Sequence, residues 1–359
     1  MSVYRGILAP NLLEASAYPI IGDACPVNLD ANEAPYGPSG PLLERIAAAL
    51  AAVELNRYPD PGADRLREAL GRRLGVGAEQ LLLGVGSDEL IQTLLIATRG
   101  VGGGVLVPAP TFPMYRLTGR ALGHAVTEVP LTAAMQLDRP AMLDAIRRAR
   151  PAVVFLASPN NPTGACFADA DVEAVLEAAP GLVVIDEAYG DFAGRSWIPR
   201  IAANPRLVVL RTFSKVGLAA IRLGYLAAQA ELVALLNKVR LPYNVPATTQ
   251  AVALAALEDP SFPGELARRL VAERERLAPR LAELPGVLEV YPSDANFLFC
   301  RVQDPRAAYE GLKARGVLVK LVPPGTPPGF PGGLRITVGT PAEHDRLVDA
   351  LREALSLAR

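Results

Sequence analysis

The stretch PAVVFLASPNNPTGACFADADVEAVLEAAPGLVVIDEAYGDF, residues 151–192, contains two apolar runs on either side of a segment with helical spacing. The runs AVVFLA and LVVI contain no polar residue, which is typical of strands that are covered on both faces. The segment ADVEAVLEAA between them predicts a helix. Strand, helix and strand in this order predict a βαβ unit whose two strands are parallel.

Similar apolar runs occur in LLLGV (81–85), GVLVPA (104–109) and RLVVL (206–210), and helical patterns alternate with them. We therefore predict an α/β fold, with a large domain whose mainly parallel sheet is covered by helices on both faces. The pattern PGELARRLVAERERLAPRLAEL (263–284) predicts an exposed helix. Beyond it, shorter strands alternate with helices, which predicts a smaller α+β C-terminal domain.

The expected division of the chain has three parts. Residues 1–30 form an N-terminal arm that packs with the small domain or with a partner subunit. Residues 31–250 form the large, ligand-binding domain, and residues 251–359 form the small domain.

The composition argues against several classes of protein. The net charge is −1 and no basic stripe is present, so a nucleic-acid partner is not expected. No apolar run reaches the roughly 18 residues of a membrane span. Three scattered cysteines show no zinc spacing and fit a reducing compartment, so we expect a cytoplasmic protein without a metal site. With only two histidines, acid–base chemistry would fall to lysine, tyrosine or carboxylates.

Polar side chains follow the predicted strands at their carboxyl ends, where ligands bind in open α/β sheets. These ends are expected to gather an amide, a carboxylate, a phenol, a lysine and the N-terminus of a helix. The residues concerned are Asn161, Asp186, Tyr189, Ser214, Lys215 and the turn Gly86–Asp88.

Lys215 is unusual because the chain carries its positive charge almost entirely as arginine. Only four of its 36 basic residues are lysines. An arginine would pair with carboxylates at least as well, but it cannot lose its proton and attack a carbonyl. A lysine at the end of an apolar strand therefore indicates a nucleophile.

One small molecule would use this whole set of groups. Pyridoxal phosphate takes a lysine for its Schiff base and a carboxylate beside its pyridinium nitrogen. Its phosphate takes helix N–H groups, hydroxyls and an arginine, for which Ser87, Ser214 and Arg222 are candidates. Each feature alone has a plainer explanation, as a turn, a helix cap, an edge-strand arginine or a surface lysine. Their occurrence together at successive strand ends favours the cofactor.

Three motifs, SPNNPTG (158–164), DEAY (186–189) and SKVGLAAIRLGY (214–225), in this order resemble the fold-type I aminotransferases that use pyridoxal phosphate. Further segments narrow the resemblance to the histidinol-phosphate aminotransferases. They are LDANEAPYGPS (29–39), NRYPDP (56–61), GVGSDELI (84–91), PTFPMY (110–115), LPYNVP (241–246) and LRITVGT (334–340).

This resemblance implies a role for each residue around the cofactor. Lys215 would hold the cofactor and move the proton at the substrate Cα, and Asp186 would keep the ring nitrogen protonated. Asn161 and Tyr189 would bind the phenolic oxygen, and Phe112 would stack on the ring. The phosphate would be surrounded by Gly86, Ser87, Asp88, Ser214 and Arg222.

The resemblance also implies a homodimer in which Tyr58 reaches the neighbouring subunit's cofactor. Arg335 would bind the anionic group of the substrate, and the residues helping it would be Asn32, Asn296, Tyr18 and Lys320. Two features depart from the family pattern. The loop from Lys215 to Arg222 is one residue shorter, and Lys320 stands where a second arginine is expected.

The implied reaction is transamination between histidinol phosphate and 2-oxoglutarate, which gives imidazole-acetol phosphate and glutamate in L-histidine biosynthesis. Two alternatives on the same scaffold stay open. One is a threonine-phosphate decarboxylase of cobalamin synthesis, and the other is an aromatic or broad-range aminotransferase. A cofactor-binding regulator without catalysis is disfavoured by the full catalytic set.

Overall fold

The computed structural model describes residues 6–14, 25–325 and 327–357, which contain two β-sheets. The larger sheet has seven strands, β2 (Leu81–Val85), β3 (Val105–Ala109), β4 (Val126–Pro130), β5 (Val153–Ala157), β6 (Leu182–Asp186), β7 (Leu207–Thr212) and β8 (Leu223–Ala227). Their order across the sheet is β2-β8-β7-β6-β5-β3-β4. Only β8 runs antiparallel to its neighbours, so the prediction of a mainly parallel sheet is confirmed.

The α-helices lie between and around these strands. They are α1 (Pro10–Glu14), α2 (Gly40–Ala51), α3 (Asp64–Leu74), α4 (Gly86–Ala97), α5 (Met114–Ala121), α6 (Arg139–Ala149), α7 (Asp169–Ala178), α8 (Gly190–Ala193), α9 (Ala230–Leu236), α10 (Ala247–Leu257), α11 (Gly264–Ala282), α12 (Pro305–Ala314) and α13 (Pro341–Leu357). Short 3-10 turns occupy Ala78–Gln80, Ile198–Ala203 and Ala219–Ile221. Within the described ranges, no helix has both the length and the apolar character to cross a bilayer.

The predicted βαβ unit is present as β5, α7 and β6, and the pattern of burial explains its apolar runs. Along β5, Val154 and Leu156 pack into the core on one face of the sheet. Val153 and Phe155 pack into a separate core on the other face. Because helices cover both faces, every position of the strand is buried and alternation with polar residues is lost.

The smaller sheet contains β1 (Val27–Leu29), β9 (Val287–Val290), β10 (Phe297–Val302), β11 (Val317–Val322) and β12 (Gly333–Thr337), in the order β1-β11-β12-β10-β9. β1 runs parallel to β11, and the other neighbours are antiparallel. The last residues of the expected N-terminal arm thus form one edge of the smaller sheet. Earlier in that segment, the Asn11 side chain donates hydrogen bonds to two carbonyls at the end of α5.

The predicted helix over residues 263–284 is present as α11, and it joins the two parts of the molecule. Ala267 and Leu270, in its first half, pack into the core below the larger sheet. Leu277 and Leu281, in its second half, pack into the core of the smaller sheet. The helix is therefore exposed only on its polar face, because its apolar stripe is shared between two cores.

The packing of helix α10 indicates where the large domain ends. It packs against α2 and α3, which lie on the side of the larger sheet. We therefore propose that the large domain ends nearer to Leu257 than to residue 250.

Candidate active site

A cavity of about 380 Å³ opens at the carboxyl ends of β5, β6 and β7 and extends to β11 and β12 of the smaller sheet. It brings together most of the residues that the sequence indicates. Those that line it are Asn32, Ser87, Asp88, Phe112, Asn161, Asp186, Tyr189, Ser214, Lys215, Arg222, Lys320 and Arg335. The location agrees with the general rule for open α/β sheets.

Lys215 extends into this cavity from the loop after β7. Its Nζ donates a hydrogen bond to the carbonyl of Ala31 at 3.1 Å and lies 5.9 Å from the centre of the Tyr189 ring. Burial, helped by the positive charge of Arg335, lowers the pKa of Lys215 to about 8. An appreciable share of this amine is therefore neutral near neutral pH, and a neutral amine can act as nucleophile or base.

Asp186, the last residue of β6, is almost fully buried in the cavity wall. Its Oδ1 accepts a hydrogen bond from the Ala188 N–H at 2.9 Å, and its Oδ2 accepts one from the Tyr115 hydroxyl at 2.7 Å. Burial raises the pKa of Asp186 to about 6, although both hydrogen bonds oppose this rise. No cation among the described residues forms an ion pair with this carboxylate. A protonated ring nitrogen in the cavity would supply that counter-charge.

Asn160 ties together the two loops that form one side of the cavity. Its Nδ2 donates to the Pro110 carbonyl at 3.0 Å and to Thr163 Oγ1 at 2.9 Å. Its Oδ1 accepts from Thr111 Oγ1 at 2.8 Å. Because the side chain is buried and its hydrogen bonds span the loops after β3 and β5, the next residue of each loop is held facing the cavity.

Arg222, Ser214 and the start of α4 form an anion-binding corner. Arg222 Nη1 donates to Ser214 Oγ at 3.1 Å, and its Nη2 lies 3.5 Å from Asp88 Oδ2. Gly86 has a φ of 73°, and a Cβ at this position would lie 2.7 Å from Arg222 Nη2. Glycine therefore lets the guanidinium reach the first turn of a twelve-residue helix, where free N–H groups favour an anion.

The backbone of Arg222 explains how the short loop after Lys215 still delivers this side chain. A 3-10 turn over Ala219–Ile221 takes up the chain, and Arg222 follows it in the left-handed region with a φ of 50°. The chain then enters β8 directly. In this conformation the guanidinium lies beside Ser214.

Two cations lie side by side at the opposite end of the cavity. Lys320 on β11 and Arg335 on β12 are directly paired across antiparallel strands, so that their side chains share one face of the sheet. Arg335 Nη1 donates to Asn161 Oδ1 at 2.8 Å, and its Nη2 donates to the carbonyl of Asp30. Burial and the neighbouring guanidinium lower the pKa of Lys320. The pair offers a doubly charged anion site.

Asn32 and Asn296 are arranged in two layers. Asn32 lines the cavity, and its Nδ2 donates to the Tyr189 hydroxyl at 2.9 Å. Asn296 is not part of the described cavity wall; its Nδ2 donates to the carbonyl of Asn32 at 3.2 Å. Asn296 therefore lies behind Asn32 and supports its backbone, and its predicted help in substrate binding stays a prediction.

Tyr58 does not line the cavity of its own chain. Tyr58 has 82% of its surface exposed and stacks on Tyr243, with 4.7 Å between ring centres. Tyr18 lies outside the described residues, so its predicted substrate contact stays a prediction.

Tyr115 is a cavity residue that the sequence interpretation missed. It lines the cavity next to Phe112, three positions earlier, and the two rings meet edge-on at 5.5 Å. Phe112 lies just before α5, and Tyr115 lies in its first turn. This spacing in PTFPMY is the signal that could have indicated it.

The chain matches the family described as aminotransferase class I and II over residues 25–351. It belongs to this family and is therefore an aminotransferase-type enzyme acting on amino and keto compounds.

Its relatives point to one branch of the family. The chain is 43% identical to histidinol-phosphate aminotransferase 2 of Nitrosococcus oceani over 96% of each chain. It is 46% identical to the histidinol-phosphate aminotransferase of Methylibium petroleiphilum over 92% of this chain and 90% of that protein.

Solved structures show the same architecture. The histidinol-phosphate aminotransferase of Sinorhizobium meliloti in complex with pyridoxal 5'-phosphate has a TM-score of 0.88 and 26% identity, with 98% of each chain covered. The L-threonine-O-3-phosphate decarboxylase of Porphyromonas gingivalis has a TM-score of 0.78 at 23% identity, with 92% of this chain and 99% of that chain covered, and it shares the fold.

Proposed function

We propose that this protein binds pyridoxal phosphate and transfers an amino group between histidinol phosphate and 2-oxoglutarate, giving imidazole-acetol phosphate and glutamate in histidine biosynthesis. One observation carries the proposal. A single cavity contains a lysine of lowered pKa, a buried carboxylate without a cationic partner among the described residues, and an anion corner at a helix start. These three parts match the aldehyde, the ring nitrogen and the phosphate of the cofactor.

The chain's own residues divide the work of holding this cofactor. Lys215 would hold it through Nζ, and Asp186 would face the ring nitrogen. Asn161 and Tyr189 would bind the phenolic oxygen, and Phe112 would cover one face of the ring. The phosphate would be bound in the anion corner by Ser87, Ser214, Arg222 and the backbone of Gly86 and Asp88.

When bound, pyridoxal phosphate supplies an electron sink for the substrate Cα. Lys215 Nζ would be the base that takes the proton from the substrate Cα and returns it during the transfer. Its lowered pKa suits this task, because a base whose pKa lies near the working pH is unprotonated often enough to act.

Arg335 and Lys320 would bind the anionic end of both substrates. A phosphate ester carries up to two negative charges, and a guanidinium beside an ammonium matches this charge better than a single cation. Arginine's planar fork also accepts the carboxylate of 2-oxoglutarate. The names of the relatives support histidinol phosphate as the amino donor.

The test is to incubate the purified protein with histidinol phosphate and 2-oxoglutarate and to measure glutamate. Lys215→Arg keeps the charge but not the nucleophile, and we expect it to reduce the turnover rate by at least about a thousandfold. Lys238→Arg, on an exposed lysine, is the matched control. Carbon dioxide from threonine phosphate without glutamate would favour the decarboxylase. Equal rates with aromatic amino acids would favour a broad-range transaminase.

We further propose a homodimer in which Tyr58 completes the neighbouring site. Several large apolar side chains are exposed in the segments around Tyr58 and after α9. They are Leu55, Tyr58, Leu241 and Tyr243. Tyr58 does not line the cavity of its own chain, and a second copy is the occupant that would bury this patch. The cytoplasmic location stays a prediction from the cysteine pattern.

A further inference from the structure

Tyr115 is a completely buried tyrosine that the proposed function leaves without a role. It lies in the first turn of α5, and its ring stacks on Phe155 with 4.6 Å between centres and an angle of 6° between planes. Its edge meets Phe112, and its hydroxyl donates to Asp186 Oδ2 at 2.7 Å. One side chain therefore contacts both the residue proposed to cover the cofactor ring and the residue proposed to face its nitrogen.

We infer that Tyr115 is a positioning residue that keeps Asp186 ionised and aimed at the ring nitrogen of the cofactor. The inference rests on the proposed function, because it concerns the same site. The Tyr115 hydroxyl and the Ala188 N–H occupy one carboxylate oxygen each, so that together they fix the plane of the carboxylate. The stack on Phe155 prevents the phenol from turning away.

The charges around Asp186 show what the hydroxyl contributes. Asp88 on α4 raises the pKa of Asp186, whereas Lys215 from the loop after β7 lowers it. Burial has the largest effect and raises this pKa to about 6, and the Tyr115 hydrogen bond is the strongest influence that lowers it. Burial and Asp186 also raise the pKa of Tyr115 itself, with a smaller push from Tyr189, so the phenol keeps its proton and stays a donor.

Removal of the Tyr115 hydroxyl is expected to raise the pKa of Asp186. Without the hydroxyl, the charged form of Asp186 loses a donor and its pKa rises. Asp186 then takes up a proton at a higher pH, and the ring nitrogen loses its counter-charge there. A loss of simple packing would lower stability without moving this titration.

The test compares Tyr115→Phe with Tyr291→Phe. Tyr291 is a matched control because it is also buried and the carboxylate of Glu289, in the smaller sheet, raises its pKa as Asp186 raises that of Tyr115. Each protein is loaded with pyridoxal phosphate, and the visible absorbance is titrated with pH. The acid-side transition of Tyr115→Phe should move up by about one pH unit, and its cofactor should be released about tenfold faster on dilution. Tyr291→Phe should match the wild type, and an unshifted Tyr115→Phe would overturn the inference.

A second comparison separates positioning from packing. In an Asp186→Asn background, Tyr115→Phe should add little to the rate of cofactor release, because the hydroxyl acts through the carboxylate. An equal increase with and without Asp186 would show that Tyr115 contributes packing alone, and the inference would be wrong. A wild-type protein that binds no pyridoxal phosphate would instead overturn the proposed function itself.

Discussion

At the scale of single residues, the chemistry of the site depends on surroundings that differ sharply over a few ångströms. Lys215 is buried and lies near the positive charge of Arg335, and its ammonium form is therefore disfavoured. Asp186 accepts two hydrogen bonds but has no ion-pair partner in the described part of the chain. Burial disfavours its charged form. A base and an acid of shifted pKa in one cleft are typical of catalytic sites.

The lowered pKa of Lys215 predicts how the cofactor-free protein takes up pyridoxal phosphate. The neutral amine is the nucleophile, so the rate of uptake should rise with pH and level off above a midpoint at about pH 8. The measurement is the rate of absorbance change on mixing, corrected by a parallel series with a free lysine derivative. Arg335→Gln removes a positive neighbour and should move the midpoint to higher pH. A midpoint above about pH 10, near the ordinary value for lysine, would contradict the prediction.

At the scale of elements, strand ends and one helix start place the polar groups. β5, β6 and β7 are parallel and end at the same edge of the sheet. α4 begins at this edge as well, because β2 and β7 both run antiparallel to β8 and therefore point in the same direction. Close approach of β8 to α4 also requires glycine, since a Cβ on Gly224 would lie 2.4 Å from the backbone nitrogen of Ser87. The anion corner is therefore a property of packed elements and not of any one loop.

Gly86→Ala should strain the backbone and, in addition, lower the affinity of the anion corner for the cofactor phosphate. Alanine would be strained at a φ of 73°, and its Cβ would displace the guanidinium of Arg222. Gly75→Ala is the matched control, because Gly75 has a φ of 72° and a methyl group there would have no atom within 4 Å. Both variants should lose about 1 kcal/mol of unfolding free energy. Only Gly86→Ala should also lose affinity for pyridoxal phosphate, by about tenfold.

The measurements for this pair are urea unfolding and cofactor titration. Equal affinities in the two variants would show that the position of Arg222 does not depend on the space left by Gly86.

At the scale of the whole molecule, the cavity exists because two sheets meet. The cofactor groups come from the larger sheet, whereas Lys320 and Arg335 come from the smaller one. Helix α11 holds the two parts together by contributing to both cores. Asn32 adds a second link, since its backbone N–H donates to Thr337 Oγ1 at 3.1 Å and its side chain donates to Tyr189.

The proposed dimer predicts complementation between two inactive variants. Tyr58→Ala removes the group offered to the neighbour, and Lys215→Ala removes the group needed in its own site. Random reassociation of an equal mixture should restore roughly a quarter of the wild-type activity, because half of the dimers are mixed and each has one intact site. The readout is glutamate formation after unfolding and refolding the variants together. Activity no greater than the mean of the separate variants would argue against a shared site.

How much the sequence predicts can be judged from particular residues. The strands that carry Asn161, Asp186 and Lys215 are predictable, since apolar runs followed by polar residues depend on local order alone. The motifs around them likewise indicate the family. The support of Asn32 by Asn296 is not predictable, because these residues are 264 positions apart and both amides look equally suited to a ligand.

The sequence by itself determined the alternation of strands and helices, the chemical groups at the strand ends and the resemblance to aminotransferases. Only the tertiary structure decided which of these groups touch. It placed Tyr115 on Asp186 across 71 positions, set Arg222 in a left-handed conformation and lowered the pKa of Lys215. The physical reason is that distance and burial control hydrogen bonds and pKa values, and both are set by packing between elements far apart in the chain.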